Sequence, residues 1–403
     1  MGANAKKYNN PYRPGAGHMP PYLAGRDDEK SEFARFLDQD VILSNVVLTG
    51  LRGMGKTVLL DTFKPMALER GWKWVGTDMS EAATLTEENI ALRLLTDLSV
   101  VTSSVVITRQ TKQVLGFGAG TREEKRTLTF GVLRALYDQT PGLVADKLKQ
   151  TLLWVWDALR TNGSRGVIFA YDEAQNLADH AEKTQYPMSL LLDVFQSIQK
   201  QAVPFMLVLT GLPTLFPKLV EARTFAERMF HMVVLDKLEP SDRKDAILKP
   251  LKPDDPRFSP DSVERIADMS DGYPYFIQFI CREVFDLFNT LVDSGQKPVV
   301  PVEAILAKLD SDFFAGRWAR ATDRQRELLI VIASLESCES EFTVQEVVEA
   351  SKKAPSKSFS GSHANQMLAS LTESGLVYKN RHGKYSFAVP LLGQFIRRQS
   401  QRS

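Results

Sequence analysis

Cysteine is nearly absent from this 403-residue chain: Cys281 and Cys338 stand far apart with no CxxC spacing. That excludes a disulfide framework and the ligand spacing of a zinc site, and predicts two ordinary reduced thiols. Histidine is also scarce. His18, His180, His231, His363 and His382 show no HExxH or similar spacing, so no histidine-ligated metal centre is indicated. Long apolar runs are missing as well. Stretches such as Gly166–Tyr171 and Phe205–Leu209 stop well short of the roughly 18 residues a membrane span needs. The N-terminal residues Met1 to Lys6 form no apolar signal core, and Lys6 stands where a myristoylation signal needs Ser or Thr. A cytoplasmic protein without a targeting segment is therefore expected. What remains is an ordinary globular composition, 43% hydrophobic and 25% charged, with length for two or three domains.

The net charge of +1 averages over a split. Residues 351–403 hold nine Lys or Arg (Lys352, Lys353, Lys357, Lys379, Arg381, Lys384, Arg397, Arg398 and Arg402) against one acid, Glu373. The other 350 residues carry 41 basic and 48 acidic side chains. A basic tail on an acidic body suggests an anionic partner, a docking of tail on body, or simple solvation.

Along the chain, residues 1–20 are rich in Asn, Pro and Gly and read as an arm over the surface. From Pro21 to about Leu238, short β-branched runs alternate with amphipathic helical patterns, which implies an α/β domain with a mainly parallel sheet. The expected strands are Asn45–Thr49, Lys73–Asp78, Gly166–Tyr171, Phe205–Thr210 and His231–Leu235. Thr84 with Glu87 reads as a capping box, and Thr140-Pro141 as the start of a helix carrying Leu148, Leu152, Val155 and Leu159 on one face. Residues 105–130, with Gly116, Gly118 and Gly120 among Arg109, Lys112, Arg122, Glu123, Glu124, Lys125 and Arg126, read as an inserted β-hairpin. Residues 239–297 read as a small helical lid, with Ser259-Pro260 and Pro274 as helix starts. A linker helix over 298–317 follows. Residues 318–403 then give three helical segments (about 322–336, 343–351 and 360–374) and two strands, Leu376–Lys379 and Lys384–Val389, around Asn380-Arg381-His382-Gly383. This is the order of a winged helix-turn-helix.

The strongest chemical signal is Gly50-Leu51-Arg52-Gly53-Met54-Gly55-Lys56-Thr57, which fits GxxxxGK[ST] and follows an expected strand. Glycines let the amides turn toward phosphate oxygens and the next helix presents its positive end. Lys56 can reach the β and γ phosphates of ATP, and Thr57 can ligate Mg²⁺. The apolar run Val167–Tyr171 ends in Asp172-Glu173, a pair suited to holding Mg²⁺ (Asp172) and polarising the attacking water (Glu173). Thr210, at the end of Phe205–Leu209, emerges from a core strand where it can touch the γ-phosphate or the lytic water, or cap a strand end. Arg223 and Arg228 precede the last strand.

This order resembles the AAA+ ATPases over about residues 20–400. Leu23-Ala24-Gly25-Arg26-Asp27-Asp28-Glu29 ahead of the phosphate loop and the terminal winged helix look like the origin-recognition and STAND-type branch. The resemblance implies an AAA+ P-loop core with a parallel five-stranded sheet, a helical lid and a C-terminal winged helix. It places Gly50, Arg52, Gly53, Met54, Gly55, Lys56, Thr57 and Val58 around ATP, Leu23 and Arg26 beside adenine, Thr210 as sensor 1, and Arg228 as an arginine finger. Asp271-Gly272-Tyr273-Pro274 lacks the sensor 2 arginine and is similar to the Gly-x-Pro element of STAND ATPases, with Pro274 at the nucleotide. Two readings follow. In one the ATP state assembles protomers and binds duplex DNA through Ser362, Asn365, Gln366, Lys379, Arg381 and Lys384. In the other the protein is a monomeric nucleotide switch whose winged helix contacts protein.

Overall fold

The computed structural model describes residues 8–15, 17–115, 118–256, 258–293, 299–354, 357–381 and 383–402. The chain forms two compact units, one of Asp28–Thr49 with Leu59–Val234 and the other of Met1–Asp27, Gly50–Val58 and Leu235–Ser403.

The first unit is built on a parallel sheet. Its strands are β1 (Asn45–Thr49), β2 (Trp72–Val75), β5 (Gly166–Tyr171), β6 (Phe205–Gly211) and β7 (Phe230–Val234), in the order β2-β5-β6-β1-β7. β3 (Val106–Leu115) and β4 (Gly118–Thr127) form a separate antiparallel hairpin with ten register pairs from Val106↔Thr127 to Leu115↔Gly118. The three central strands β1, β5 and β6 are buried at every position, as helices on both faces require, whereas β7 at the edge buries Phe230 and then alternates half-buried and exposed residues. Register carries Val46 opposite both Val208 and His231, and Leu48 opposite Thr210. The ends of β1, β5 and β6 therefore reach one edge of the sheet together. Behind them Phe169 meets Phe195 and Phe205 at ring distances of 5.1 and 5.5 Å, in a core also filled by Leu94, Leu152 and Leu191.

Two helix starts differ from the sequence reading. Thr84 lies in a 3₁₀ turn, Ala82–Thr84, where its hydroxyl donates to the carbonyls of Glu81 and Asn176. The cap is Thr86, whose hydroxyl accepts from the Asn89 N–H at 3.1 Å to open Glu87–Thr102. Thr140 closes the preceding helix, Phe130–Gln139, by donating to the Leu136 carbonyl. The helix assigned to Thr140-Pro141 begins at Val144, with Asp146 accepting from the Leu143 N–H.

The second unit is mostly helical. Pro240–Leu248, Pro260–Ser270 and Pro274–Asp293 come first, and Ser259 caps the second by accepting from the Ser262 N–H. The long third helix buries Phe276, Ile277, Ile280, Cys281, Val284, Phe285 and Phe288. The N-terminal arm has no helix or strand in its described residues, yet it is anchored. Tyr12 is buried, stacks on Phe258 and donates its hydroxyl to the Ile247 carbonyl, so the arm is partly a packed element. The expected linker helix is Val302–Leu309, continued by a π turn (Asp310–Phe314) and a short helix (Ala315–Trp318).

The C-terminal part follows as helix Asp323–Ala333, β8 (Phe342–Thr343), helices Val344–Ser351 and Gly361–Glu373, then β9 (Val377–Arg381) and β10 (Lys384–Phe387). The three strands form one sheet in the order β8-β10-β9. Thr322 and Thr343 begin their helices with capping boxes completed by Gln325 and Glu346. A last helix, Leu392–Arg402, was not anticipated. It takes Arg397 and Arg398 out of the free basic tail: Arg397 donates to the Ala333 carbonyl, and Arg398 pairs with the buried Asp310. Among the described residues no helix is long and apolar enough to cross a membrane.

Candidate functional site

The loop 50–57 leaves β1 and runs into the helix Lys56–Glu69. Gly53 and Gly55 have φ of +82° and +86°. Positive φ at alternate positions is the backbone pattern that lets successive N–H groups converge on an anion, and L side chains resist it. A Cβ on Gly55 would meet nothing within 4 Å, so open space lies beside it, whereas one on Gly53 would stand 3.0 Å from the Tyr275 Cβ. Lys56 donates from Nζ to the carbonyls of Gly50 and Leu51 at 2.9 and 3.0 Å, folding its ammonium back over the loop. Thr57 is half-buried, Met54 and Val58 are buried, and Arg52 is exposed.

Two further segments hold this loop. Pro274 opens its helix, and the next N–H, that of Tyr275, donates to the Gly53 carbonyl at 3.2 Å. Arg26 is 6% exposed and donates to the carbonyls of Asp236 (2.8 Å), Gly25 (3.1 Å) and Met54 (3.4 Å). The segment around Leu23 and Arg26 is the one expected beside adenine, and its guanidinium donates to backbone carbonyls, one of them in the phosphate loop. Leu23 is half-buried nearby in sequence.

At the sheet edge of the other unit, Asp172 is 7% exposed. Its Oδ1 accepts from the Thr210 hydroxyl and from the Glu173 N–H at 2.8 Å. Thr210 is fully buried, and its hydroxyl is engaged with that carboxylate. Glu173 is exposed, adopts the left-handed conformation (φ 51°, ψ 31°) and accepts from the Gln175 amide. Asp61, which sequence reasoning passed over, lies one turn beyond Thr57 on the helix Lys56–Glu69. Burial raises its carboxyl pKa, Lys64 opposes the shift, and the charges of Asp172 and Asp78 add to it. A carboxylate four positions after the loop threonine was the available signal.

The two arginines before β7 separate. Arg223 is held by Asp193 through two bonds of 2.8 Å, a structural pair. Arg228 is exposed in the short helix Ala226–Met229, with no side-chain hydrogen bond or ion pair among the described residues. On the helix Gly361–Glu373, Ser362, Asn365 and Gln366 share an exposed face; Lys379 is exposed and Lys384 half-buried. The side chain of Arg381, the residue His382 and the hairpin side chains Arg109, Lys112, Arg122, Glu123, Glu124, Lys125 and Arg126 lie outside the described part, as does Gly116.

Among solved structures, the chain is similar to the Walker-type ATPase PABY2304 of Pyrococcus abyssi, with a TM-score of 0.55 at 15% identity over 93% of this chain and 96% of that one. The two share a fold, which in this chain has a five-stranded parallel sheet in the order β2-β5-β6-β1-β7. Similarity also extends to the Aeropyrum pernix ORC2 protein in ADPNP–ADP complexes (TM-score 0.47, 15% identity, 96% and 98% covered). The Aeropyrum pernix ORC1 protein in complex with DNA gives a TM-score of 0.44 at 17% identity, with 94% of each chain covered. A family described as a domain of unknown function (DUF8462) matches residues 311–396. No curated protein sequence matches the chain.

Proposed function

We propose that the protein binds ATP with Mg²⁺ and hydrolyses it to ADP and phosphate. The observation that carries this reading is the loop 50–57, with left-handed glycines at 53 and 55, a lysine folded over its carbonyls and a helix starting at Lys56. Lys56 and the loop amides hold the phosphates. The Thr57 hydroxyl and the Asp172 carboxylate are hard oxygen donors of the kind Mg²⁺ takes beside substrate phosphates, and they would hold the ion. Mg²⁺, when bound, neutralises charge developing on the transferred phosphoryl group. Glu173 accepts the proton of the attacking water, and Thr210 orients Asp172 through its hydroxyl.

Lys56→Ala tests the reading because it removes the one side-chain cation of the loop that is turned onto its carbonyls. It should abolish ATP binding measured by calorimetry, and unchanged affinity would sink the assignment. Glu173→Gln should retain ATP while turnover falls to a small residual rate.

Within the same reading, Arg228 is the group that reaches the nucleotide of a second protomer, supported by its exposure and its lack of an internal partner among the described residues. The C-terminal part acts as a winged helix on duplex DNA, supported by the exposed polar face of Ser362, Asn365 and Gln366 beside Lys379. A second reading, a STAND-like switch, is favoured by one observation. Arg52 of the phosphate loop approaches Gly375 of the C-terminal part, where a Cβ would lie 3.5 Å from its Nη1. Mixing Arg228→Ala with Glu173→Gln protomers separates the two: recovered turnover supports assembly, and a monomer with no recovery supports the switch.

A further inference from the structure

The Gln175 side chain is used at both ends. Its Nε2 donates to Glu173 Oε2, and its Oε1 accepts from the Leu212 N–H at 3.1 Å. Its backbone carbonyl accepts from Lys218 Nζ at 3.0 Å. Space for the amide exists only because residue 211 has no side chain. A Cβ there would lie 2.7 Å from Gln175 Oε1 and 2.9 Å from Leu215 Cδ2. Leu212 stands two residues after Thr210, whose hydroxyl holds Asp172. The end of β6 therefore grips both acidic residues, Asp172 directly and Glu173 through the amide of Gln175.

The backbone of Glu173 is constrained as well. It sits at φ 51°, ψ 31°, a region that costs a non-glycine residue energy and persists where its surroundings enforce it. The N–H of Glu173 is fixed by Asp172 at 2.8 Å, and one carboxylate oxygen is fixed by Gln175. Oε1 has no partner among the described residues. A carboxylate held at one oxygen and open at the other is oriented to take a proton from water.

We propose that Gln175 is a positioning residue for hydrolysis, tying the carboxylate of Glu173 to the end of β6 so that the base and the Thr210–Asp172 pair move as one element. The inference rests on the assignment of Glu173 as the base. An amide is suited to this role because it donates to Glu173 with one end while accepting from Leu212 with the other.

Steady-state hydrolysis by the full chain tests it. Gln175→Ala should lower kcat about 10- to 100-fold, the range for losing a hydrogen bond to a charged group, with KM changed less than about twofold. Gln175→Glu discriminates further. It keeps the length and can still accept from Leu212, so a purely structural role predicts near-normal turnover. Positioning predicts turnover as slow as in Gln175→Ala or slower, because the carboxylate cannot donate to Glu173 and repels it. Gly211→Ala, which crowds the amide without altering it, should reproduce part of the loss. In a Glu173→Gln background, Gln175→Ala should change the residual rate less than about twofold, since it acts only through Glu173.

Thermal midpoints and ATP affinity verify folding for each variant. Wild-type kcat in a folded Gln175→Ala protein, or in Gln175→Glu, would overturn the inference while leaving the base assignment standing. Wild-type turnover by Glu173→Gln would overturn the base assignment and this inference together.

Discussion

Arg26→Met separates two roles for a buried cation. Methionine keeps much of the side-chain bulk and removes the guanidinium that donates to Asp236 and Met54 carbonyls, partners 210 and 28 positions away. An acceptor left without its charged donor costs about 1–3 kcal/mol, least for the long 3.4 Å bond to Met54, so the pair implies a loss of about 2–4 kcal/mol. At about 2–4 °C per kcal/mol for a unit of this size, the thermal midpoint should fall about 5–15 °C. The phosphate loop loses a tether as well, and part of that cost should appear in ATP affinity as a loss of about 10- to 100-fold. Base selectivity supplies the discriminating measurement. If Arg26 acts by holding the loop, ATP and GTP affinities fall in parallel and their ratio stays constant. If Arg26 borders adenine, the ratio shifts while stability hardly changes. An Arg26→Met variant as stable as wild type but with altered base preference would refute the loop-holding role and support the place beside adenine read from the sequence.

The elements most legible in the sequence were those written in contiguous residues. The phosphate loop is eight consecutive residues between a strand and a helix, and its glycines at 53 and 55 carry the positive φ that such spacing demands. The central strands were legible because burial on both faces leaves uninterrupted apolar runs: β5 reads directly as Gly166–Tyr171, and β6 as Phe205–Thr210, one residue short of its end at Gly211. Edge elements shifted by a residue or more, as Trp72–Val75 and Phe230–Val234 show, because a half-exposed strand is bounded by its neighbour rather than by its own composition. Thr84 and Thr86 both stand three positions before a polar residue. A carbonyl from Asn176, far along the chain, engages the first and leaves the second to cap the helix. The links among the proposed site residues were least legible. Arg26 to Asp236, Thr210 to Asp172 and Gln175 to Leu212 join positions 210, 38 and 37 apart, and no local pattern encodes such pairs. Tyr12 was hidden for a related reason: an Asn- and Pro-rich arm has no periodicity to show that one ring is buried.

Three further outcomes follow from the geometry. Gly55→Ala should lower stability by about 1–2 kcal/mol from its left-handed backbone alone, and Gly53→Ala by more, because the Tyr275 Cβ stands in the way; equal thermal midpoints for the two would contradict this ordering. Thr210→Val should cost about 1.5–3 kcal/mol in urea unfolding by depriving a buried carboxylate of its hydroxyl donor, while Thr210→Ser retains most of that stability; indistinguishable Val and Ser variants would show that the hydroxyl contributes nothing to holding Asp172. DNA binding by the C-terminal part should depend on fewer cations than its composition offers, because Arg397 and Arg398 are spent on Ala333 and Asp310 and Lys352 pairs with Glu349. Six of the nine then remain; if about four of them meet phosphates, log affinity should fall with log salt at a slope of about −3 to −4, and Lys379→Ala should reduce that slope by about one. Asn365→Ala should instead alter sequence preference at constant slope, because a short amide on the exposed helix face can meet base edges without releasing a counterion. A slope near zero, or an unchanged slope in Lys379→Ala, would show that this face does not track phosphates.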